Sequence, residues 1–101
     1  MPRMTHALAQ VLQALDAGYI YGFDIADATG LRGGTVYPLL RRLEAEGLVA
    51  STWEPASASR DVGRPARKYY RLKPAARRQL AHARERFPFR AVARPPRTEE
   101  G

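Results

Sequence analysis

Apolar residues recur along the first half of the chain at helical spacing. Leu8, Val11, Leu12 and Leu15 follow the i, i+3, i+4, i+7 rule, Thr5 stands where a side-chain oxygen caps a helix, and Gly18 closes the run. A second, shorter helix is predicted from about Phe23 to Thr29, with Phe23, Ile25 and Ala26 inward, Asp24 and Asp27 facing water, and Gly30 in the left-handed position that ends helices. Leu31 plugs the turn that follows. A third helix, from about Gly33 to Glu46, carries Val36, Leu39, Leu40 and Leu43 as its buried stripe and ends at Gly47. Pro38 lies inside it, but its ring opposes the carbonyl of Gly34 in the first turn, where a local bend relieves the clash, so one continuous helix is expected.

Beyond Gly47 the period changes. Leu48 to Glu54 has strand character, and Lys68 to Leu72 is a second run of strand type rich in aromatics. The 13 residues from Pro55 to Arg67 between them are too long and too polar for a tight turn and are expected to project as a flexible loop. Pro74 suits the first turn of a fourth helix running to about Phe87, with Ala76, Leu80, Ala83 and Phe87 on one stripe. The fold class is therefore mostly α with a two-stranded β-ribbon. Three helices followed by a ribbon describe a winged helix-turn-helix, here with an added C-terminal helix. Residues 1–73 form the winged unit and 74–87 the terminal helix. Residues 88–101, with Pro95-Pro96 and no periodicity, are expected to lack structure.

Charge sharpens this picture. The chain of 101 residues carries 17 basic and 10 acidic side chains, a net charge of +7. The excess is segregated: residues 1–54 hold four basic and six acidic residues, whereas residues 55–97 hold thirteen and two. A cationic half of this kind favours a polyanionic partner. With no cysteine, disulfides, thiolate catalysis and sulfur-ligated zinc are excluded. His6 and His82 stand far apart with no carboxylate at ligand spacing, so no metal is expected. No nucleophile triad, carboxylate pair or glycine-rich phosphate loop is recognisable, and neither an enzyme nor a cofactor is expected. The N-terminus offers no signal peptide and no membrane span, which points to the cytoplasm.

The candidate chemistry is that of duplex recognition. In a winged helix-turn-helix the third helix enters the major groove and the ribbon tip follows the backbone or minor groove. Arg32, Thr35 and Tyr37 near the start of that helix, with Arg41 and Arg42 one to two turns on, offer cations and hydroxyls to base edges and phosphates. In the loop, Arg60, Arg64, Arg67 and Lys68 can each neutralise a phosphate. Blander roles compete: Arg41 and Arg42 are spaced to pair with Glu44 or Glu46, one of Tyr69 and Tyr70 must pack inward, and Trp53, Phe87 and Phe89 are more readily packing residues than ligand contacts. A protein-interaction module and a non-specific nucleic-acid binder are the alternative functions.

Several segments together resemble the PadR family of bacterial transcriptional regulators: Tyr21 to Ile25, Gly34 to Val49, Trp53-Glu54, and Gly63 to Leu72. The pairing of a Gly-Thr-aromatic-Pro helix with a Gly-Arg-Pro-x-Arg-Lys-Tyr-Tyr wing carries the likeness. The resemblance implies a dimeric repressor of double-stranded DNA, reading a pseudo-palindromic operator, whose last helix pairs the protomers; since that helix is short here, the first is expected to supply part of the interface. It also implies release by a small aromatic or drug-like effector, acting through the angle between the two winged domains. It places Thr35, Tyr37 and Arg41 on the recognition helix, and Gly63, Arg64, Pro65, Arg67 and Lys68 in the wing. Where the family usually has Ser-Pro-Gly at the start of that helix, this chain has Arg32, Gly33 and Gly34, losing a cap worth ~1 kcal/mol.

Overall fold

The computed structural model describes residues 3–57 and 63–92. Helix α1 (His6–Asp16) starts at its predicted cap, Thr5 Oγ1 accepting the Leu8 N–H at 3.1 Å. The apolar stripe alone would bury one face, yet every residue from Leu8 to Leu15 is buried. Helices α2 (Gly22–Thr29) and α3 (Gly33–Ala45) cover one side of α1, and α4 (Arg77–Arg86) covers another. Gln10 and Gln13 therefore lie inside and need partners. Gln13 Nε2 donates to the carbonyls of Ala9 (3.1 Å) and Phe87 (2.8 Å), Gln10 Nε2 donates to Phe87 O (3.0 Å), and the Phe89 N–H donates to Gln13 Oε1 (3.0 Å).

Helix α2 corrects two expectations. Its inward stripe runs Tyr21, Asp24 with Ile25, then Ala28, a helical i, i+3/4, i+7 row, so Asp24 is buried and Phe23 is turned outward, 64% exposed. Gly30, at φ +76°, closes the helix and donates its N–H to Ala26 O at 2.9 Å. Helix α3 passes through Pro38 without interruption. Its start is capped by no side chain, Arg32 occupying the cap position. Val36, Leu40 and Leu43 are wholly buried, and Leu39 packs against the core more loosely. Burial of each such side chain contributes roughly 1.5–3 kcal/mol.

Strands β1 (Val49–Trp53) and β2 (Lys68–Leu72) pair antiparallel, with Val49 opposite Leu72 and Trp53 opposite Lys68. The sheet is tied back to the helices where the Tyr70 N–H donates to Ile20 O at 2.7 Å and the Lys73 N–H to Leu48 O at 2.9 Å. Tyr70 is the inward tyrosine. A 3-10 turn, Pro74–Ala76, leads into α4. Ala76, Leu80 and Ala83 face α1 of the same chain, and Phe87 and Phe89 pack on the same core. The last helix, expected to pair protomers, thus spends its apolar stripe on α1 of the same chain. Beyond α4 no further helix or strand follows through Val92, whose N–H donates to Ala28 O at 2.8 Å. Residues 93–101 lie outside the described residues.

Candidate nucleic-acid interface

Because Val36, Leu40 and Leu43 bind α3 to the core, the opposite face of the helix is presented outward. Thr35, Arg41 and Arg42 of the helix are exposed, as is Arg32 at the cap position before it. None of the three arginines makes an ion pair among the described residues, so the competing role of Arg41 and Arg42, pairing with Glu44 or Glu46, is absent there. Glu44 instead accepts from Ser51 Oγ and lies 3.9 Å from Lys68 Nζ. Tyr37, 39% exposed, lays its ring over Gly22. A Cβ at Gly22 would fall 2.4 Å from Tyr37 Cε1, so the glycine is what admits the ring.

The wing cations are organised by one carboxylate. Glu54, whose side chain is only 7% exposed, receives Arg64 Nη1 at 2.6 Å and Nη2 at 3.1 Å, the Arg67 N–H at 2.9 Å and the Tyr21 hydroxyl at 3.4 Å. Arg67 Nη2 stands 3.6 Å from it and the guanidinium lies 4.1 Å above the Tyr21 ring. The Arg64 hydrogen bond, with the Arg67 N–H and both cationic charges, holds the Glu54 carboxyl at about 2, against an opposing effect of desolvation. The same bond raises the Arg64 guanidinium above its ordinary value. Lys68 sits 5.6 Å over the Trp53 ring. Gly63, at φ +67°, turns the chain into the wing, and Pro65 is exposed beside it. Arg60 lies outside the described residues.

The two groups of predicted site residues meet. Tyr37 of α3 and Arg67 and Lys68 of the wing line one open cavity of about 270 Å³. Side chains of α3 and of the wing thus meet at one surface. Sequence reading missed Glu54, Tyr21 and Gly22 as its organisers. The signal available was a single carboxylate at the edge of a strongly basic stretch, which calls for a local cationic partner. Trp53, expected to pack, is 62% exposed at the cavity rim, because its register opposite Lys68 places it at the open end of the ribbon. Among the described residues no helix is long and apolar enough to cross a membrane, and no three His, Asp or Glu side chains gather as a metal site. His6 packs edge-on against Phe87, 5.8 Å between ring centroids.

Comparison with solved structures returns the same architecture. A PadR family transcription regulator from hypervirulent Clostridium difficile is 24% identical and superposes with a TM-score of 0.66 over 80% of this chain and 85% of that one. Bordetella bronchiseptica BpsR, whose DNA binding is regulated by 6-hydroxynicotinic acid, is 30% identical with a TM-score of 0.64, over 79% of this chain and 53% of that one. Bacillus subtilis PadR, solved with operator DNA, is 18% identical with a TM-score of 0.63, over 97% and 52% of the two chains. This chain therefore spans about half the length of the latter two. A search of curated proteins gives no significant match. The model of the transcriptional regulator PadR-like family matches residues 11–82, spanning α2, α3, both strands and most of α1 and α4, and the chain belongs to that family.

Proposed function

We propose that this protein binds double-stranded DNA sequence-specifically as a homodimeric transcriptional repressor and is released by a small-molecule effector. The observation that carries the reading is that Tyr37 of α3 lines one cavity with Arg67 and Lys68 of the wing, while Arg32, Arg41 and Arg42 are exposed and make no ion pair among the described residues. Thr35, Tyr37 and Arg41 reach base edges and flanking phosphates, while Arg42, Arg64, Arg67 and Lys68 hold the backbone and Gly63 and Pro65 shape the wing. Two such units on a pseudo-palindrome read half-sites about one helical turn apart. The operator complex of Bacillus subtilis PadR supports the DNA assignment, and the 6-hydroxynicotinic acid response of BpsR supports an effector.

Retardation of the duplex upstream of the protein's own coding sequence, against a scrambled duplex and RNA at several salt concentrations, tests the reading. The upstream duplex is expected to bind about 10³-fold or more tightly than the scrambled one. Equal affinity for all three would leave a non-specific nucleic-acid binder, and no retardation at low salt would leave a protein-interaction module.

A further inference from the structure

The buried stripe of α2 leaves a second stripe turned outward. Phe23, Ala26, Asp27 and Gly30 stand at i, i+3, i+4 and i+7 and line an open groove of about 410 Å³, which Gly33 and Tyr37 of α3 line as well. Phe23 is 64% exposed there, and Asp27 is exposed and makes no ion pair among the described residues. An exposed ring and a carboxylate in one concavity fit an apolar segment that carries a cation. The chain itself arrives at one end of this groove. After α4 its backbone is held against α1 by Gln10 and Gln13 and reaches the end of α2, where the Val92 N–H donates to Ala28 O at 2.8 Å. Val92 Cγ2 lies 3.6 Å from where a Gly30 Cβ would stand. The next residues are Ala93, Arg94, Pro95, Pro96 and Arg97. From Gly30 back to Phe23 the helix measures about 10 Å at its usual rise, and four residues of an extended, proline-favoured chain cover about 12 Å. Arg94 then comes level with Asp27, and the proline pair with Phe23 and Tyr37. Prolines in that conformation dock on aromatic side chains.

We infer that residues 93–97 dock along the outer stripe of α2 in their own chain, and that the docked segment competes with the duplex for the start of α3. Arg94 pairs with Asp27, Pro95 and Pro96 cover Phe23, and the segment lies over Gly33 and Tyr37. Because Val92 tethers it at the edge of the groove, its effective concentration there is on the order of millimolar, and weak contacts suffice to hold it. A duplex has to displace the segment before it reaches Tyr37. The consequence for DNA rests on the regulator reading above; the docking does not.

Isotope-edited NOE spectra of the full chain test the docking. Cross-peaks from the ring protons of Pro95 and Pro96 to the Phe23 ring are expected in the free protein. They are expected to fall about threefold or more in Asp27→Lys, where attraction becomes repulsion, and to return in the Asp27→Lys, Arg94→Glu double variant. Asp27 is exposed, so neither variant disturbs the core, which circular dichroism checks. Absence of the cross-peaks overturns the docking, as do cross-peaks that Asp27→Lys leaves unchanged. Cross-peaks found only between differently labelled copies also overturn it, by placing the segment on a neighbouring molecule. For the competition, the charge-neutral Pro95→Gly, Pro96→Gly variant is expected to bind the upstream duplex about threefold or more tightly than the unaltered chain. Unchanged binding overturns the competition, and weaker binding overturns it in favour of a segment that contacts DNA. Retardation by the unaltered chain is scored separately, so failure of the regulator reading and failure of the docking are distinguishable.

Discussion

Gly22 controls the position of Tyr37, a residue of the proposed duplex-binding surface. Its missing side chain is the space in which Tyr37 lies, a Cβ there falling 2.4 Å and 2.7 Å from Cε1 and Cζ of the ring. The obstruction is a side chain that can rotate away, so Gly22→Ala is expected to keep the fold while displacing Tyr37 and weakening duplex binding by about tenfold. Circular dichroism and retardation read the two effects. In the Gly22→Ala, Tyr37→Ala double variant the second change adds little, since the ring is already displaced. Additive losses would show that Gly22 acts elsewhere. Glu54 is the second such residue. Its folded carboxyl is held at about 2, below the ordinary 4.5. A depressed carboxylate stabilises the fold fully above the ordinary value, and that contribution is lost as pH falls from about 4.5 through 2. The Arg67 amide, bonded to Glu54 at 2.9 Å, should therefore titrate with a midpoint near 2 in NMR spectra, and a midpoint at the ordinary 4.5 would contradict the clasp.

At the scale of elements, α1 and the wing are each defined by a polar residue that holds a distant segment. Gln13 binds Phe87 O and the Phe89 N–H. Gln13→Ala leaves the Phe89 donor without its acceptor, and about 1–3 kcal/mol of stability is expected to be lost, seen as a lower Tm. A change below a few tenths of a kcal/mol would mean that water or the backbone replaces it. In the wing, Arg64→Ala and Arg67→Ala are each expected to weaken all duplexes alike and to flatten the salt dependence by up to about 0.9 per phosphate contact. Because both cations share Glu54, the double variant should lose less than the sum.

Much of this element level was legible in the sequence. The Thr5 cap, the Gly30 and Gly47 terminators, the stripe of α3 and the uninterrupted helix through Pro38 follow from local rules, and each has its place in the structure. The inversion of Phe23 and Asp24 was not legible, because an eight-residue helix has two plausible faces and only its packing against α1 chooses between them. The Glu54 clasp joins residues ten and thirteen apart across the ribbon, a pairing that no local period encodes.

For the whole molecule, the decisive arrangement is that α4 uses its apolar stripe on its own α1. Arg77, Arg78 and Arg86 remain on its exposed face. Two copies meeting there would bring like charges together, so self-association through α4 is expected to strengthen as salt screens them between about 0.05 and 0.5 M. Light scattering measures this, and a mass that falls with salt would place the pairing surface elsewhere. Helix α3 and the wing meanwhile meet at one cavity, and the account stands on the proposal that this face grips the duplex. The most direct measurement is a residue-resolved NMR titration of the labelled full chain with its upstream duplex. Amide shifts are predicted to concentrate at Arg32 to Arg42 and Gly63 to Lys68, leaving Arg77 to Arg86 nearly unmoved. Shifts concentrated on α4, with α3 and the wing silent, would contradict it.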